Sequence, residues 1–147
     1  MSSLTFTVQG TPIPQGSMQS FRKGNKTVYV PANKNLKAWR EAVRAKAYKT
    51  AIAEGINLPL GANKTPLILV CTFVFQRPKS TPKSRLMSVK PDLDKLIRAI
   101  CDALGNKGLG QIIEDDSRVK LIIADKRYCE GDEQPHAKIT IKEPGWC

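Results

Sequence analysis

Acid is scarce in the first 91 residues, where Glu41 and Glu54 stand against 15 lysines and arginines, while residues 92–147 hold 11 acids and nine bases. The net charge of +11 and pI near 9.7 point to a polyanionic partner. His136 is the single histidine, and Cys71, Cys101, Cys129 and Cys147 are unevenly spaced with no CxxC pair. Zinc fingers and a disulfide framework are therefore poor readings. The longest apolar run, PLILVCTFVF at 66–75, is far short of the roughly 20 residues a membrane span needs. MSSLTFTVQG lacks a charged-then-apolar signal layout, so a cytoplasmic protein that does not engage membranes is expected. There is no GxxxxGK[ST] loop to cradle a nucleotide cofactor, and no GxSxG to make His136 the base of a serine triad. His136 reads instead as a solvated residue at a strand start.

What remains is one domain of 147 residues with globular proportions. LTFTVQ alternates Leu4, Phe6 and Val8 with polar residues, as a half-buried strand does. GTPIPQGSMQSFRKGNK predicts a mobile, exposed loop or loose hairpin before a short strand, TVYV. Leu36, Trp39, Val43 and Ala47 share one face of a helix from about Asn33 to Glu54, with Gly55 as its stop. PLILVCTFVF is apolar on both sides and reads as a central strand. After a basic loop, Leu93, Leu96, Ile97, Ile100 and Leu104 form the stripe of a second helix that ends at Gly105. RVKLIIADKRY and HAKITIKE finish as two strands. The order β-β-α-β-α-β-β predicts an α/β (α+β) fold, one mixed sheet with two main helices packed on it.

The acids of the second half concentrate in KPDLDKLIRAICDAL (90–104) and IIEDDSRVK (112–120). At 100° per residue from Leu93, Asp94, Arg98 and Asp102 lie at about 100°, 140° and 180°, on a polar edge beside the core. Asp92 sits close to Asp94, whereas Asp102 is roughly 12 Å further along the axis and cannot share an ion with Asp94. One reading is structural: Asp92 caps the helix, Asp94 complements its dipole, and Asp94 pairs with Arg98. Asp115 and Asp116 in EDDS would then be turn residues. The other reading is chemical. Clustered carboxylates resist joint ionisation unless a cation neutralises them, and an all-oxygen set suits Mg²⁺ or Mn²⁺. In a basic protein this points to metal-assisted phosphodiester hydrolysis. GNKG at Gly105–Gly108 matches the GXXG clamp of KH-type RNA binders, but a helix C-cap and turn explain it.

These two segments together resemble the RusA family of Holliday-junction resolvases. Its pattern is Pro-Asp-x-Asp-Asn, a Lys four positions after the second Asp, Asp-Ala-Leu at the helix end, and Asp-Asp before a strand. FTVQGTPIPQG and the YVP before the first helix are similar to phage members. The resemblance implies a small homodimeric, Mg²⁺-dependent endonuclease that nicks four-way DNA junctions symmetrically. Position by position, it makes Asp92, Asp94 and Asp116 the metal-binding aspartates, Asp115 a less critical partner, and Asp102 the helix-end acid. Lys95 replaces the family Asn and Arg98 the family Lys. Arg98 keeps the charge to hold a phosphate but cannot exchange a proton near neutral pH. Ile112 and Ile113, where an aromatic often stands, read as core. Arg22, Lys23 and Lys26 in the first loop, Arg77, Lys79, Lys83, Arg85 and Lys90 in the second, and Lys95 and Lys120 are the expected backbone contacts to branched DNA. A nuclease for flaps or forks, and a DNA-binding protein whose acids merely cap, are the alternatives.

Overall fold

The computed structural model describes residues 2–16, 18–31, 35–108 and 110–144, with the side chains of 18–22 and 28–31 left aside. Eight elements follow in order: β1 (Ser3–Gln9), β2 (Met18–Lys23), β3 (Lys26–Pro31), α1 (Leu36–Ala53), β4 (Leu67–Phe75), α2 (Leu93–Leu104), β5 (Val119–Tyr128) and β6 (His136–Lys142). Short 3₁₀ turns occupy Ala62–Lys64 and Asp116–Arg118. The mixed sheet runs β1-β6-β4-β5, with β4 antiparallel to β6 and parallel to β5. This is the expected class, one mixed sheet with two main helices. Parallel strands need a long crossover, and α2 lies within the one that links β4 to β5. The segment read as a loop or loose hairpin is an antiparallel β2–β3 ribbon, separate from the main sheet.

One apolar core joins the layers. Leu4, Phe6 and Val8 of β1 and Ala137, Ile139 and Ile141 of β6 point to the same side, as their period-2 spacing requires. β4 is central and buried on both faces over much of its length, with Phe73 and Val74 fully enclosed. Leu36, Trp39, Val43, Ala47 and Ala51 form the inner stripe of α1, and Leu96, Ala99, Ile100, Ala103 and Leu104 that of α2. Leu93 and Ile97 are only partly covered. Ala99 and Ala103, small enough for close approach, fill places that large-residue periodicity alone does not reveal. Ile112 and Ile113 are buried as expected.

Two anchors position α2. At its start, the Lys126 ammonium of β5 donates to the carbonyls of Val89 (2.7 Å) and Pro91 (2.9 Å), tying the incoming loop to the sheet. At its end, Leu104 O accepts from the amides of both Ile112 and Ile113 at 3.1 Å. The 111–114 strand of chain is pinned on its other side to Leu60, whose amide donates to Ile112 O and whose carbonyl accepts from Glu114 N, each at 2.8 Å. The chain thus turns back over the C-terminal end of α2 before entering β5.

Candidate active site

The acids expected to share one site lie at opposite ends of α2. Asp92 occupies the N-cap position with extended backbone geometry, yet its side chain makes no capping hydrogen bond. Its carboxylate instead meets the Lys95 ammonium at 3.5 Å. Asp94 and Arg98 are both exposed, and neither forms an ion pair among the described residues, so the anticipated Asp94–Arg98 bridge is not made. Asp94, Arg98 and Asp102, joined by Lys95, Gln15 and Gly16, line an open cavity of about 460 Å³. Gln15 reaches this place because its amide donates to Lys95 O at 2.9 Å, which lays the 10–16 segment along the helix.

At the other end, Asp116 opens the 3₁₀ turn and sits against Gly105, where a Cβ would stand 2.6 Å from Asp116 Oδ1. Desolvation first, and then Asp102 and Asp115, hold the Asp116 carboxyl above the ordinary carboxylate range. Asp115 is the opposite case. The Ser117 hydroxyl and amide both donate to it, and these bonds lower its pKa. Asp102 meets Arg40 of α1 at 3.8 Å. Arg118 is spent on Glu114 and the Gly61 carbonyl, so it gives Asp116 no bond. Burial, helped by Asp116 and Asp102, pushes the Cys101 thiol up to about 11.

Among the described residues, no three His, Cys, Asp or Glu side chains converge as a metal cluster. The donor chemistry nonetheless suits a hard cation, because Mg²⁺ needs only one or two carboxylates beside water and phosphate oxygens. Asp92 with Asp94 is such a pair; Asp102, Asp115 and Asp116 form a second acidic group about 12 Å or more along the axis.

The expected DNA contacts divide. Lys23 and Lys26 are exposed at the turn of the ribbon, and Lys79, Lys83, Arg85 and Lys90 on the 76–91 loop. Arg77 is occupied in building that loop: its guanidinium donates to Pro82 O and Arg85 O and stacks 4.5 Å from the Tyr128 ring. Lys95 is engaged by Asp92 and Lys120 is exposed on β5; the side chain of Arg22 lies outside the described residues. Sequence reasoning missed that α1 turns its basic flank toward Asp102, a signal present in the helical spacing of Lys37, Arg40 and Arg44. No helix among the described residues is long and apolar enough to cross a membrane.

Compared with known proteins, the chain aligns with the family model for endodeoxyribonuclease RusA over residues 9–142, from the end of β1 to the end of β6. No curated protein sequence matches the chain.

Proposed function

Because the chain belongs to the RusA endodeoxyribonuclease family, we propose that it resolves four-way DNA junctions by metal-dependent paired nicks. The observation that carries this reading is that the α2 N-terminal acids are scarcely used by the fold: the one contact of their carboxylates among the described residues is Asp92 to Lys95 at 3.5 Å. Asp92 makes no cap bond, and Asp94 has no cationic partner among the described residues. Asp94 lines an exposed cavity with Arg98, and Asp92 stands exposed just ahead of it at the helix start. Asp92 and Asp94 would hold the ion, Mg²⁺ or Mn²⁺; Asp115 and Asp116, at the other end of α2 in the same chain, would serve as further oxygen donors only from a second copy. When bound, the ion polarises the scissile phosphate and lowers the pKa of an attacking water. Arg98 binds the phosphate as a fixed charge, since its guanidinium keeps its proton.

A second copy supports both the symmetry of the cut and the assembly of the acids. β5 is the open edge of the sheet, and it exposes three consecutive aliphatic residues, Leu121, Ile122 and Ile123. An edge whose exposed centre is aliphatic, with its exposed charges, Lys120 and Asp125, flanking that centre, can serve as a pairing surface. Antiparallel pairing about a two-fold axis at Ile122 sets Leu121 against the partner's Ile123 and Lys120 against the partner's Ala124, with no like charges facing each other from Val119 to Asp125. The same register sets Lys126 opposite the partner's Arg118, a like-charge contact at the rim that works against it. It would also bring the partner's 115–118 segment toward the loop that Lys126 holds ahead of Asp92.

The test is cleavage of a labelled synthetic four-way junction beside linear duplex, with Mg²⁺ or EDTA, by wild type and Asp94→Asn. Paired nicks confined to the junction, requiring metal and Asp94, are expected. Equal cutting of flaps or forks would make the chain a general branch nuclease. Binding without metal-dependent cutting would leave a DNA-binding domain.

A further inference from the structure

Asp94, Arg98 and Asp102 recur every four residues along α2, so they share one face, and Asn106 follows just beyond its C-cap. The cavity at Asp94 ends at Asp102, where a second one of about 440 Å³ begins and extends to Asn106. Together they make a furrow that follows α2 for roughly 12 Å from Asp94 to Asp102 and continues past its C-cap. The far wall of its second half is α1, which contributes Lys37, Arg40 and Arg44 against the single acid Glu41, while Gln15 and Gly16 face Asp94 in the first. These three bases lie on one flank of α1, beside its buried stripe.

Helix stability does not account for that placement. The first turn of α1 holds no acid, and bases near a helix N-terminus oppose the dipole. Arg40 offsets Asp102 and also reaches Gln15 Oε1 at 3.5 Å. Lys37 is exposed and makes no ion pair among the described residues. Lys37 and Arg44 are about 10 Å apart along the axis, which matches roughly three nucleotides of one strand at 3.4 Å each.

We propose that the furrow between α1 and α2 carries one DNA strand by its phosphodiester backbone, with Lys37 and Arg40 contacting phosphates and leading the strand to Asp94. The proposal rests on the nuclease reading for its direction and adds a contact surface on a helix, apart from the basic loops. Because the contacts are to phosphates, they add affinity without base preference.

The experiment is equilibrium binding of the full chain to a fluorescent four-way junction in EDTA, over 50–200 mM salt, alongside cleavage in Mg²⁺. Lys37→Ala is expected to weaken binding and to shrink the slope of log affinity against log salt by about 0.9, the loss of one phosphate contact. Lys37→Arg should restore it. Lys46→Ala removes the same charge from an exposed position about 180° around α1, and should leave the slope unchanged. An unchanged slope in Lys37→Ala, or an equal loss in Lys46→Ala, overturns the furrow even if wild type cuts the junction. A Lys37-specific loss in a protein that never cuts sustains the furrow and sinks the nuclease reading.

Discussion

The two ends of α2 carry the same residue type and treat it differently. At the N-terminal end, Asp92 and Asp94 are both exposed; Asp94 lines the open cavity, and Asp92 has one loose contact, Lys95 at 3.5 Å. At the C-terminal end, Asp102 and Asp115 are tied to Arg40 and Ser117, while Asp116 faces the helix end and other acids without a cation. One end keeps its acids available; the other holds its acid in tension. Local stability optimises neither arrangement, and such departures from it are where function is expected.

The largest expected effect tests the first end. Asp94→Asn should lower junction cleavage by roughly 10²–10³-fold and shift the thermal midpoint by no more than about 2 °C, as an exposed substitution without structural partners does. A drop in stability comparable to the drop in activity would return Asp94 to service as a helix residue.

Joining the two ends across copies depends on β5. Ile123→Lys puts a charge on the partner's Leu121, and sedimentation should show a monomer where the parent is a dimer, with cleavage falling in step. A monomeric parent would break the comparison at its premise.

Gly105→Ala comes next. The backbone φ of −89° is ordinary, so strain is not the issue; the new Cβ would stand 2.6 Å from Asp116 Oδ1 and displace it. Cleavage should fall by about 10–10²-fold, the scale for misplaced groups, with far-ultraviolet circular dichroism unchanged.

Asp116→Asn sharpens the tension itself. A carboxyl whose folded pKa is raised contributes stability below its unfolded pKa and loses it as pH rises through the folded one. Removing the charge should therefore raise the melting midpoint at pH 7.5 and leave it unchanged near pH 3, where both states are protonated. A lower midpoint at pH 7.5 would contradict the crowding.

The smallest effect is a control remote from both ends. Glu133, bonded by Arg127 at 2.6 and 2.8 Å, is lowered to about 2. Its contribution is present above the unfolded value and lost as pH falls through about 2. Glu133→Gln should melt slightly earlier at pH 7, converge with the parent in strong acid, and cut normally.

Much of this was legible in the residues. The α2 stripe, the double-sided burial of β4 and the two acidic segments follow from spacing and chain context. The meeting of Asp116 with Asp102 was not, because it depends on Leu104 O accepting from Ile112 and Ile113 and turning the chain back. β2 escaped because MQSFRK does not alternate in polarity. Periodicity marked RVKLIIADKRY as a strand, but it is blind to whether a strand has one neighbour or two. Leu121 and Ile123 would read the same in either case.

The unpaired edge of β5 would also set a dose. Were β5 to pair with its own copy as proposed, the number of complete sites would rise with the square of protein concentration when copies are few, and the fraction of chains within them in direct proportion to it. A cell making little of this protein would hold it mainly as inert single chains. Under that pairing, cutting would climb faster than synthesis, and the timing of expression would act as the safety catch on the nuclease.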